Sequence, residues 1–335
     1  MTRIRRIADV LLPLRIDHPY SYLADGEEGL NAGAFVRVPI GSRVETGVVW
    51  KVREATPARP LKAIAEVLEL PPMTEPQRRF VEWVARYYVA ERGLVLRMCL
   101  SAREALLSRR QRVAWRLTGE KLRRVTPQRA RVLAVAADSP PLTAAELARL
   151  AGVSPAVVRG LIDAGALAPV ALPRDAPFER PDPAAPPTHR LNAEQRAAAE
   201  KLRAAVARGG FSVTLLDGVT GSGKTEVYFE AMAAALARGR QVLLLLPEIA
   251  LTGQFIGRVA ARFAAQPAEW HSDLTAAARA RVYRAVAEGE ARIVVAARSG
   301  LFLPWRSLGL IVVDEEHEGA YKQEGGVPYH GRDMA

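Results

Sequence analysis

The sequence predicts a multidomain protein: a mostly-β N-terminal domain, a helix-turn-helix unit, and an α/β lobe whose parallel sheet surrounds a P-loop. Three observations carry this. Short apolar runs punctuated by proline and glycine fill residues 1–70, a proline-dense stretch covers 171–189, and beyond Leu191 helical and strand patterns alternate around GxxxxGKT. Such alternation marks a parallel α/β sheet. At 335 residues the chain is long enough for two or three separate cores. A single cysteine, Cys99, excludes a disulfide framework and any thiolate zinc site built within the chain. No apolar run reaches the roughly 18 residues a bilayer span needs, and no signal-peptide pattern opens the chain. A soluble, cytoplasmic protein with no membrane partner is expected.

Taken in order, Val10-Leu11-Leu12 before Pro13, Phe35 to Pro39, a Gly41-Ser42 turn and Val44 to Val52 read as short strands. Proline cannot donate to a ladder, so the prolines mark strand ends and edges. Thr74-Glu75-Pro76 opens a helix with a capping hydroxyl, a first-turn acid and a proline whose missing N–H is harmless. Phe80, Val84 and Tyr87 are expected along one face as core residues, with Trp83 and Tyr88 beside them; stacking on a base is the alternative. Thr143 caps a helix with Leu147 and Leu150 inward. Gly152 turns the chain, and Ser154-Pro155 starts a second helix bearing Val158, Leu161 and Ile162, stopped by Gly165. Pro173, Pro177, Pro181, Pro183, Pro186 and Pro187 then predict a stiff linker over 173–189.

The net charge of +11 is unevenly placed. From Arg103 to Arg131 ten basic residues face only Glu104 and Glu120, and Arg109, Arg110, Arg112 and Arg116 lie at the centre of this window. A solvated helix pair is one reading. A surface that tracks DNA phosphates is the sharper one, because neutralising each phosphate releases condensed counterions.

The strongest motif is Gly218-Val219-Thr220-Gly221-Ser222-Gly223-Lys224-Thr225, set between an expected strand, Val213 to Leu216, and a helix, Thr225 to Leu236. Glycines let successive N–H groups line a phosphate cradle at a helix N-terminus. Lys224 is placed to reach the β- and γ-phosphates of ATP, and Thr225 to ligate Mg²⁺. A second apolar strand, Leu310 to Val313, delivers Asp314-Glu315-Glu316-His317. Asp314 would hold Mg²⁺, Glu315 would orient and deprotonate the attacking water, and His317 would relay nucleotide state.

With these residues in place the chain resembles the superfamily 2 helicase core, and within it the primosomal replication-restart helicases of the PriA family. The stretches that carry the resemblance run in family order. They are Gly33 to Arg43, Trp83 to Tyr88, Leu191 to Gln195, the P-loop, Leu246-Pro247-Glu248-Ile249-Ala250-Leu251-Thr252, His271-Ser272, Arg298 to Pro304, and Asp314 to His317 leading to Tyr321-Lys322-Gln323.

The resemblance implies a 3′-DNA-end-binding domain over 1–105, a winged-helix domain over 106–172, the linker over 173–189 and a first RecA-like lobe over 190–335. It implies that Gln195 reads adenine, that Pro247 to Thr252 and Arg298-Ser299 grip a single-stranded backbone, and that Glu318 to His330 is a loop coupling DNA contact to hydrolysis. Tyr321, Lys322 and Tyr329 would be that loop's DNA contacts. The implied activity is an ATP-dependent 3′→5′ DNA helicase acting on forked or single-stranded DNA with primosome and replicative-helicase-loading proteins. The alternative is a fork-recognition factor with weak or lost helicase activity.

The sequence departs from the family at Val327, Pro328, Gly331 and Ala296. It stops at Ala335, so a second lobe and the family's zinc-binding cysteines are not expected in it. The 335-residue chain alone is therefore expected to turn over little ATP, since the arginine finger of such motors comes from the second lobe.

Overall fold

The apolar runs before residue 70 form strands. Arg5–Leu11 (β1), Tyr20–Leu23 (β2), Phe35–Ile40 (β3), Arg43–Ala55 (β4) and Glu66–Val67 (β5) make an antiparallel sheet in the order β2-β1-β4-β3-β5. The computed structural model describes residues 4–27, 29–106, 113–120, 125–171, 177–219 and 221–335. Both faces of this sheet are apolar. Ala8, Val10, Val36, Val38 and Val49 form one core. Leu11, Phe35 and Val48 face the other way, into a core shared with two helices and with the C-terminal lobe.

Those helices are Glu75–Tyr87 (α1) and Arg92–Cys99 (α2). Thr74 caps α1 by accepting the Gln77 N–H at 3.3 Å. The inward face carries Gln77, Val81, Val84 and Ala85; of the expected Phe80–Val84–Tyr87 line, Val84 is buried and Phe80 packs partly buried against the core, whereas Tyr87 does not. Trp83 and Tyr87 are 42% and 57% exposed. They stack on each other at 5.0 Å on the outer face, so these rings are not core residues. Val81, Val84 and Ala85 share the core with α2 and the lobe, and Phe80 meets Phe302 of the lobe at 5.7 Å between ring centroids. Gly93 on α2 is one position that demands glycine: a Cβ there would lie 2.1 Å from the Leu14 carbonyl oxygen and 2.5 Å from that of Leu12.

The chain divides into two units, Met1–Ser108 with Phe178–Ala335, and Arg109–Pro177. The second unit holds Val113–Leu117 (β6), Pro127–Asp138 (α3), Leu142–Thr143 (β7), Ala144–Ala151 (α4), Pro155–Asp163 (α5) and Leu167–Ala171 (β8), with the antiparallel order β7-β6-β8. Thr143 and Glu146 form a reciprocal capping box at the start of α4, and Gly152 ends it in a left-handed conformation, as a tight turn between helices requires. Val132, Leu147, Val158 and Leu161 are fully buried here. Leu150, expected inward, is 50% exposed, because Leu147, Ala148 and Ala151 define the buried stripe of α4.

After residue 190 the first unit contains Ala193–Arg208 (α6), Lys224–Ala237 (α7), Gln241–Leu245 (β9), Gly253–Phe263 (α8), Ala268–Trp270 (β10), Ala276–Glu288 (α9), Ile293–Ala296 (β11) and Leu308–Val313 (β12). The strands are parallel in the order β10-β11-β9-β12, with α7 and α8 packed on one face. The chain closes with Lys322–Gln323 (β13), Tyr329–His330 (β14) and Gly331–Met334 (α10).

The expected strand at Val213 to Leu216 does not form: residues 211–219 carry no regular structure. Phe211, Val213 and Leu215 are 88%, 83% and 77% exposed, and β12 is the sheet edge among the described residues. An apolar alternation reports fit to a pleated, half-buried surface, and the run gains strand structure only where an edge accepts it. The proline-dense segment is tied down from Phe178 onward. Asp182 N–H donates to Phe263 O at 2.8 Å, Arg262 donates to Ala185 O at 2.9 Å, and Thr188 donates to Glu226 at 3.3 Å.

Candidate nucleotide-binding site

The P-loop glycines adopt the conformations the motif needs. Gly221 and Gly223 have φ of +78° and +80°, and Gly223 precedes Lys224, the first residue of α7. A Cβ on Gly223 would lie 2.6 Å from Gln195 Nε2, so the loop runs flush against that amide. Gln195 is engaged at both ends. Its Oε1 accepts Asn192 N–H at 2.9 Å within the α6 capping box, and its Nε2 donates to Ser222 O at 2.7 Å. The residue expected to read adenine thus also straps α6 to the P-loop. Lys224 Nζ donates to the loop carbonyls of Gly218 at 2.5 Å and Val219 at 3.4 Å. Thr220 lies outside the described residues.

Asp314 stands at the end of β12, its N–H bonded to Leu245 O at 3.0 Å on the neighbouring strand. Its carboxylate accepts from Glu315 N–H at 3.0 Å and from the Tyr228 hydroxyl at 2.8 Å. Tyr228 lies one helical turn after Thr225 on α7, the helix that follows the P-loop. Burial, reinforced by the Asp314 charge, pushes the Tyr228 phenol far above its ordinary range, so it is a neutral donor. Sequence reasoning missed Tyr228; its i+3 spacing from Thr225 was the available signal.

Glu315 has φ +47°, a left-handed conformation unusual for a non-glycine residue. Its carboxylate is 3.7 Å from His317 Nε2, and both side chains are exposed.

The donor set fits a magnesium nucleotide. Thr225 and Asp314 offer a hydroxyl and a carboxylate, both hard oxygens, and the Tyr228 phenol ties Asp314 to the helix whose N-terminus follows the glycine cradle. Among the described residues no group of three or more His, Cys, Asp or Glu gathers elsewhere to hold a metal. Mg²⁺ in phosphate sites needs only one or two protein oxygens.

The expected DNA-facing segments follow the carboxyl ends of neighbouring parallel strands: 247–252 after β9, 298–302 after β11 and 318–330 beyond β12. Pro247 is buried, whereas Thr252 is exposed and caps α8. Arg298 donates to Ala320 O at 2.5 Å, joining two of these segments. Ser299 Oγ accepts the Trp270 indole N–H at 3.1 Å. Lys322 is exposed and pairs with Glu324 at 3.0 Å.

Tyr321 and Tyr329 depart from expectation. They are 1% and 3% exposed, so neither ring offers a face to an unpaired base. The Tyr321 hydroxyl reaches Asp314 O at 2.6 Å and Leu245 O at 3.0 Å, and burial raises its pKa. Tyr329 packs edge-on against Phe302, and burial pushes its phenol up to about 12. Arg116 is exposed on β6. Arg109, Arg110 and Arg112 lie outside the described residues.

A family model described as 3'DNA-binding domain (3'BD) matches residues 9–101, and one described as DEAD/DEAH box helicase matches 192–329. The second match makes the parallel-sheet lobe RecA-like. Replication restart protein PriA of Rickettsia felis is 32% identical over 98% of this chain, and that of Haemophilus influenzae is also 32% identical over 98%. The Bacillus subtilis protein of the same name is 38% identical over 58% of the chain. The chain spans 40% of the Rickettsia protein, 47% of the Haemophilus protein and 24% of the Bacillus protein. With a 3′-DNA-binding domain and a helicase lobe in the same order, the chain belongs to the PriA family, of which it represents the N-terminal portion.

Proposed function

We propose that this chain recognises forked DNA and binds ATP with Mg²⁺, as the fork-capturing and first motor part of a 3′→5′ helicase that restarts replication and assembles a primosome at stalled forks. The observation that carries the reading is the convergence of the P-loop helix and the β12 carboxylate through Tyr228, in a chain that also holds a 3′-DNA-binding domain. Lys224 would release the Gly218 and Val219 carbonyls to take the β- and γ-phosphates. Thr225 and Asp314 would hold the magnesium, which when bound neutralises charge on the phosphate oxygens. Glu315 would orient the attacking water and take its proton, and His317, beside it, would sense the change. Arg298, Ser299, Thr252 and Lys322 would contact a single-stranded backbone. The three-helix, three-stranded unit around Arg116 would serve as a winged helix against duplex phosphates. A fork-binding factor that had lost ATP use has less support, since every P-loop and β12 residue the chemistry requires is in place.

Lys224→Ala separates the two roles. Binding of a fluorescent ATP analogue should be lost while affinity for forked DNA stays at the unsubstituted level. Retained nucleotide binding would sink the assignment of the site, and lost DNA binding by a folded variant would sink the division of labour.

A further inference from the structure

Tyr228 is an unassigned part of the nucleotide site, and the geometry points to it as the positioning residue for Asp314, the carboxylate expected to hold magnesium. It is 5% exposed, and its ring packs edge-on against Phe229 at 5.4 Å inside the α7 core. A buried hydroxyl that packing alone required would be a phenylalanine, because a polar group withdrawn from water must find partners. Here the partner is a residue expected to bind the metal: the phenol donates to Asp314 Oδ2 at 2.8 Å.

With Oδ2 fixed by the phenol and Oδ1 by Glu315 N–H at 3.0 Å, the Asp314 carboxylate cannot rotate freely. A residue of the P-loop helix α7 therefore orients a ligand that stands at the end of β12. Partners of this kind tune metal affinity by roughly 10–100-fold without touching the ion.

The inference rests on the nucleotide-site reading above, and one experiment separates the two. Affinity for N-methylanthraniloyl-ADP is measured on the 335-residue chain with MgCl₂ and with EDTA, giving a magnesium enhancement factor. Tyr228→Phe keeps the ring and its contact with Phe229, and melting curves check the fold. It should leave the EDTA affinity at the wild-type value and cut the enhancement by roughly tenfold or more. In an Asp314→Asn background the same substitution should have little further effect, because the residue acts through Asp314. A folded Tyr228→Phe protein with the wild-type enhancement would overturn the inference, as would an equal loss in both backgrounds, which indicates packing alone. A wild-type chain that binds no nucleotide, or binds it without regard to magnesium, would instead overturn the site reading and take this inference with it.

Discussion

Val89 holds a conformation its side chain resists. It follows the exposed Trp83–Tyr87 stack, is 93% exposed and has φ +50°. Left-handed backbone costs an L-residue roughly 1–2 kcal/mol, and β-branching worsens the crowding. Nothing is gained from packing at such exposure. Val89→Asn should therefore raise stability by about 1 kcal/mol, read as a higher denaturant midpoint at an unchanged slope. Residue identity alone did not disclose this strain, because φ is set by the turn that carries the chain from α1 to α2. The P-loop, Asp314 and Glu315 stand out as motifs, because a motif is a matter of residue type at fixed spacing. The two tyrosines of the 318–330 loop were misread for a related reason. An aromatic in a polar loop looks exposed until a carbonyl such as Asp314 O is found to receive its hydroxyl.

At the scale of elements, capping chemistry was the most legible signal. Thr74, Thr143 and Asn192 each accept the N–H three residues on, and each starts its helix there. Such signals are local and need no knowledge of what the helix packs against. The face of α1 and the run at 213–216 were not legible, since both depend on a partner distant in sequence. The short turn Arg298–Phe302 shows the same dependence. Gly300 is buried with its missing Cβ 2.4 Å from Ala296 Cβ and 3.2 Å from Leu243 Cδ1. The room for the Ala296 methyl comes from Gly300. Overpacking at a site this rigid should make Gly300→Ala cost about 1–3 kcal/mol. Adding Ala296→Gly should recover most of it, and a double-mutant cycle by chemical denaturation checks the coupling.

At the scale of the whole molecule, the β domain and the lobe share one core although residues 109–177 separate them in sequence. The bonds across the seam include two that are buried and a third that is partly so. Tyr283 donates to Cys99 O at 2.9 Å, Gln77 donates to Leu303 O at 3.1 Å, and His330 N–H donates to the Tyr88 hydroxyl at 3.1 Å. Cys99 is 0% exposed, and burial pushes its thiol up to about 12. Only the thiolate reacts, so labelling by a disulfide reagent at pH 8 should be slow in the native protein and fast in guanidinium. Tyr283→Phe deletes a seam bond worth about 1 kcal/mol and should speed native labelling roughly fivefold. A rate unmoved by that substitution would mean the seam does not limit access to the thiol.

The shared core also gives the protein a history during synthesis. The apolar faces of α1 and α2 leave the ribosome roughly 200 residues before Tyr283, Phe302 and Trp305 arrive to cover them. At elongation rates of about 5–20 residues per second, that is a wait of roughly 10–40 s. Through that interval the N-terminal domain has a folded sheet and an uncovered flank, and the intervening unit can fold entirely on its own. The newborn chain is therefore most exposed to aggregation and to chaperone capture at Val81, Val84, Val95 and Leu96, residues that the finished protein hides completely.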